Sequence, residues 1–159
     1  MDQASTYFNG EKFQCMVGIA VSISIILLSA WFIYLQKPFY KGIAYACIPL
    51  SLLLLAVCIG IVLRTPRDMA RVNAYESTRL MQVDELPRME KVMKSFNLII
   101  KVEIVVFAIG VILAIFFWNN DLVRGIALGL IIQSSLLYLF DHMAAARAER
   151  YVDFLQSLG

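Results

Sequence analysis

The sequence predicts an all-α membrane protein of four transmembrane helices, built as two tandem helical hairpins with cytoplasmic helical extensions. Three observations lead there. Of 159 residues, 60% are hydrophobic and only 16% charged, too apolar for a water-soluble domain of this size. The apolar residues gather into four runs, each close to the ~20 residues that a helix needs to cross a hydrocarbon core. Lysines and arginines crowd the N-terminus, the middle and the C-terminus and are sparse between the paired runs, the asymmetry expected of alternating membrane faces. The whole chain, 1–159, reads as one domain.

Residues 1–12 are polar and mildly acidic, and the apolar stretch that follows has neither a basic lead nor a small-residue cleavage site. It reads as a retained span, 15–35, not a signal peptide. A polar link containing Pro38 leads to the second span, 43–63. Residues 65–95 form a cytoplasmic loop with helical character. Thr65-Pro66-Arg67-Asp68 offers a cap residue, a first-turn proline and an acid, which predicts a short helix starting there and ending near Gln82. Asp84 is expected to cap a second helix, with Met89, Val92, Met93 and Phe96 recurring at helical spacing into the third span, 98–118. Asn119-Asn120-Asp121 permits only a tight turn before the fourth span, 122–140. A tail helix over 142–158 follows, its face marked by Met143, Arg147, Tyr151, Phe154, Leu155 and Leu158.

Lys12, Arg64, Arg67, Arg71, Arg79, Arg88, Lys91, Lys94, Arg147 and Arg150 lie on one side of this arrangement, and only Lys37, Lys41 and Arg124 on the other. Both termini and the middle loop are therefore expected in the cytoplasm, with the chain in the plasma (inner) membrane. Trp31, Tyr34, Phe39, Tyr40, Phe117 and Trp118 supply the aromatic belt at the opposite interface.

Sliding the chain on itself by 83 residues sets Phe13-Gln14 on Phe96-Asn97, Lys41-Gly42-Ile43-Ala44 on Arg124-Gly125-Ile126-Ala127, and Ser51 on Ser134. Polar and glycine positions sharing one offset make the hairpins tandem copies related by an axis along the membrane normal. The same offset aligns Gly42-xxx-Ala46 with Gly125-xxx-Gly129. Small residues four apart let helices approach closely in lipid, so spans two and four are expected to meet each other or a neighbouring subunit, with Ala56-xxx-Gly60 as an extension of that face.

Glu103 lies about 9 Å inside the third span by helical rise, where an ionised carboxylate is expensive. Gln133, at similar depth on the fourth span, is the expected partner, with Ser134 and Ser135 adding hydrogen bonds. Two uses fit this group. It is either a proton or cation site, burial favouring the neutral acid and a bound cation displacing the proton, or a polar clasp between helices. Lys101, two positions away, is expected to reach for the interface instead. Arg64, Arg67, Arg71, Arg147 and Arg150 form a basic cytoplasmic face that suits lipid headgroups or an acidic partner, or that pairs with Asp68, Glu76 and Glu149.

Several chemistries are excluded. No CxxC pair exists for thiol redox work at a membrane face, and Cys47 and Cys58 are about 16 Å apart along one helix. His142 is the single histidine, which excludes bis-histidine haem ligation and offers no zinc set; no metal or cofactor is expected. There is no phosphate loop, nucleophile elbow, catalytic carboxylate pair or HExxH. Arg71-Val72-Asn73 with Glu76 resembles the Arg and Asn cluster of four-span membrane glutathione-transferring enzymes over those few residues only, and it is misplaced relative to the helices, so no activity is carried over. Basic residues interleaved with aromatics, the footprint of nucleic-acid binding, are missing. The sequence therefore points to a non-enzymatic membrane protein surrounded by lipid. It acts through helix–helix and cytoplasmic-face contacts as an accessory, regulatory or immunity-type subunit, as a homo-oligomer or with a protein partner; the alternative is a small proton- or cation-coupled transporter or channel using Glu103.

Overall fold

The computed structural model describes residues 2–75 and 78–157, and of Asp2, Gln3, Thr78 and Leu80 only the backbone. Four helices account for nearly all of them: α1 (Asp2–Tyr34), α2 (Pro38–Asn73), α3 (Thr78–Phe116) and α4 (Asp121–Ser157). Each contains a stretch long and apolar enough to cross a membrane, and the chain is an integral membrane protein. The helices are 33, 36, 39 and 37 residues long, about 50–58 Å at the α-helical rise, against ~30 Å of hydrocarbon. Most of the surplus lies at the end that holds both termini and the α2–α3 link, called here the base. The opposite end is the hairpin end.

The hairpins close tightly. Gln36 ends α1 in the left-handed region, φ 57°, where a C-terminal residue frees the chain to turn, and its side chain accepts a hydrogen bond from Lys41 Nζ at 2.6 Å. Pro38 then occupies the first turn of α2. In the second hairpin Asn120 Oδ1 accepts from the Leu122 and Val123 amides at 3.1 and 3.3 Å, capping α4.

The base differs from the sequence expectation. No new helix begins at Thr65 and none at Asp84. α2 runs unbroken through Pro49 and Pro66 to Asn73, and α3 runs from Thr78 through Pro87. Thr65 is buried and its hydroxyl donates to the Ile61 carbonyl at 2.8 Å instead of capping forward, so the turn interrupted by Pro66 keeps a side-chain hydrogen bond and the helix continues. All three internal prolines face outward, where their rings displace no packed neighbour.

α2 and α4 both run from the hairpin end to the base and form the central pair. α1 packs on α2 and, along a shorter stretch, on α4; α3 packs chiefly on α4. At the base all four helices converge on a buried cluster of Ala4, Tyr7, Phe8, Val72, Met89, Ala148, Tyr151 and Leu155. Within the membrane, most large apolar side chains of α1 and α3 point outward to lipid.

Candidate functional site

The α2–α4 seam sets the depth of everything else. A Cβ on Gly42 would overlap the Leu122 carbonyl oxygen, and one on Gly125 would overlap the Phe39 carbonyl oxygen. The two glycine Cα atoms themselves face each other across the seam. Because 42 and 125, and likewise 39 and 122, are separated by the same 83 residues, the contact is reciprocal, each copy presenting one patch to the other. Further down, a Cβ on Gly129 would lie 2.8 Å from Ala46 Cβ and 3.0 Å from the Ile43 oxygen. Gly42, Ala46, Gly125 and Gly129 are thus all consumed inside the chain, and no neighbouring subunit can use them. Ala56 and Gly60 do not extend this face: both are exposed, and a Cβ on Gly60 meets nothing within 4 Å.

Below the glycines the seam turns polar. Gln133 is buried and its Nε2 donates to the buried Ser51 Oγ at 3.2 Å. Ser134 and Ser135 hydroxyls return to their own helix, to the Leu130 and Ile131 carbonyls. Gln133 therefore serves α2, not Glu103, correcting the expected pairing.

Glu103 instead meets Asp141. It lies on the stripe of α3 that faces α4, one heptad before Gly110, whose Cβ would lie 3.1 Å from the Ala127 oxygen. Side chains on a helix lean toward its N-terminus. On α3 that direction is the base; on the antiparallel α4 it is the hairpin end. Glu103 and Asp141 consequently lean toward each other, while Glu103 and Gln133 lean apart. The two carboxyls lie close enough to act on each other. A carboxylate can only accept, so a hydrogen bond between them needs a proton on one of the two. Glu103 is 6% exposed, and its Oε2 is buried with no hydrogen-bond partner among the described residues. Lys101 is exposed and turned away. His142 is also exposed, stacked on Tyr138 at 5.8 Å.

The base carries a second polar assembly. Arg88, invisible as special in the sequence, grips the buried Glu85 with both Nε and Nη2 and reaches Asp68 at 3.4 Å. Asp68 also accepts from Arg64 at 3.0 Å, and Arg64 approaches Glu11 at 3.9 Å. Arg147 bonds Gln14, whose amide donates to the Phe140 carbonyl. The five arginines proposed as one basic face therefore divide. Arg64 and Arg147 tie helices together; Arg67, Arg71 and Arg150 are exposed, with no ion pair among the described residues. Glu76, an expected partner, and Leu158 of the tail face lie outside the described residues. Cys15 and Cys58, far apart in sequence, fall in one buried cluster with Leu54 between α1 and α2. No group of metal-ligating side chains occurs among the described residues.

No family model, curated protein or solved structure matches the chain.

Proposed function

We propose that the protein is a small proton- or cation-coupled membrane carrier in which Glu103 and Asp141 together hold one proton or one cation. What supports this reading is a single observation: two carboxyls come together where α3 and α4 pass from their apolar spans to the base, and the buried Glu103 Oε2 has no hydrogen-bond partner among the described residues. Intramembrane acids are costly to keep and are retained where they mark an ion or proton path. In this reading both termini face the cytoplasm of a plasma (inner) membrane, so the acid pair is loaded from the cytoplasmic side. The α2–α4 seam is the fixed part, and α3, held mainly by α4, is the part that moves. No covalent chemistry is involved, and no cofactor.

The test is flux into proteoliposomes holding a pH-sensitive dye, under imposed proton, sodium or potassium gradients. Glu103→Gln is the informative variant. The amide supplies a permanent donor to Asp141, so the helix contact is kept while the exchangeable proton is lost. Flux by the native chain that disappears in Glu103→Gln supports the carrier. No flux under any gradient, or flux indifferent to the substitution, removes it.

A second reading is favoured by the exposed trio Arg67, Arg71 and Arg150 at the base. Here the chain is an accessory, regulatory or immunity-type subunit that docks an acidic partner or another copy of itself through the base. Co-purification that survives Glu103→Gln but is lost when the three arginines become glutamines would select it over the carrier.

A further inference from the structure

At the hairpin end, Arg124 is held in a manner that a solvated interfacial arginine does not need. Its guanidinium carbon lies 5.1 Å from the Phe39 ring centre and 5.4 Å from that of Trp118, one ring contributed by α2 and the other by the turn that follows α3. Nη2 pairs with Asp121 Oδ1 at 2.9 Å, and the Asp121 side chain is 60% exposed. Arg124, Leu128 and Ile131 fall at i, i+4 and i+7, one stripe of α4. With Phe39, Ala114 and Trp118 they line a cleft of about 210 Å³ between α2 and α3, a pair of helices that otherwise barely touch in the membrane.

The cleft is apolar along its length and charged at one end only. From Arg124 to Ile131 it runs about 10 Å along the helix axis, most of the ~15 Å depth of one leaflet. It opens toward lipid, since Trp118 and Leu128 are both exposed. Its occupant must therefore be apolar below and charged at the interface. The charge at the mouth is an adjacent cation and anion, which complements a headgroup carrying an anion and a cation of its own. A single positive group would have favoured an anionic lipid; the exposed carboxylate beside it disfavours one.

We propose that this cleft is a phospholipid site selective for phosphatidylethanolamine, with one acyl chain along Leu128 and Ile131, the phosphate on Arg124 and the primary ammonium on Asp121. A primary ammonium can donate hydrogen bonds to the carboxylate, which a quaternary choline cannot.

Native mass spectrometry of the full chain, released from mild detergent with equal amounts of phosphatidylethanolamine, phosphatidylglycerol and phosphatidylcholine, tests this. Phosphatidylethanolamine adducts should exceed each of the others by about two- to fivefold, the worth of one exposed ion pair. Asp121→Asn, a change at an exposed position, should abolish that excess, bringing phosphatidylethanolamine adducts down to the level of phosphatidylcholine. Arg124→Gln should lower all three adducts. Equal adducts of the three lipids in the native chain, an excess of phosphatidylglycerol, or a preference that survives both substitutions would each overturn the assignment.

Discussion

The base and the membrane-embedded seam are parts of the same four helices, yet they are held by opposite means. At the base the side chains are large: Tyr7 stacks on Tyr151 with ring centres 4.6 Å apart, Phe8 meets the same tyrosine edge-on, and Met89 and Leu155 are fully buried among them. Around this core runs a chain of ion pairs, Glu11–Arg64–Asp68–Arg88–Glu85. In the seam the side chains are nearly absent, and glycine, alanine and serine let backbones touch. The difference follows from the solvent. Outside the membrane, burying aromatic area removes it from water and is strongly favourable. Inside, lipid is as apolar as leucine, so only close contact and hydrogen bonds distinguish helix from lipid as a neighbour.

That contrast can be broken at several points. The largest loss is expected from Arg88→Leu, which leaves Glu85 buried without its cation. Removing one member of a buried pair costs about 3–5 kcal/mol, and the quarter exposure of the Arg88 side chain places this case at the lower end. Chemical denaturation in mild detergent should show it, and 1 M salt should narrow the gap between native and variant. Next comes Gly125→Val, which drives a branched side chain into the Phe39 carbonyl. Overpacking costs about 1–3 kcal/mol where side chains can yield, and here the obstacle is backbone, so the upper part of that range is expected, with no dependence on salt. Gln133→Leu removes the Ser51 hydrogen bond and should cost only ~0.6–1 kcal/mol by thermal melting, the usual worth of a polar contact between membrane helices. Gly60→Ala should leave the melting temperature unchanged or slightly raised, because open space receives the methyl and helix propensity improves. If Gly60→Ala were as damaging as Gly125→Val, the seam would not be the packed element described.

Much of this arrangement was legible in the sequence. The four spans follow from apolar length, and the Gly42 and Gly125 alignment follows from a shared offset that the reciprocal contact then explains. The base was harder to read. Thr65-Pro66-Arg67-Asp68 has the composition of a helix start, but a threonine hydroxyl can equally bond back one turn, and local sequence does not choose between these. Glu103 was conspicuous, whereas its partner was not. Depth alone favoured Gln133, and only the opposite lean of side chains on antiparallel helices brings Asp141 to it. Arg88 looked like one positive residue among many because its importance derives from Glu85 and Asp68, which tertiary packing places beside it.

The reciprocal glycine contact has a consequence for where chemistry can sit. A patch that meets its own copy is what two identical hairpins make when they pair about a two-fold axis, and in such a homodimer every substitution appears twice. A covalent join between the hairpins lifts that restriction. Shifting Glu103 and Asp141 back by the 83-residue offset lands on Ala20 and Cys58, neither of them an acid. The fused chain therefore carries one acid pair where a dimer of equals would have to carry two, and its first hairpin is spared the cost of carboxyls at those two positions while still supplying half of the backbone seam on which the second depends.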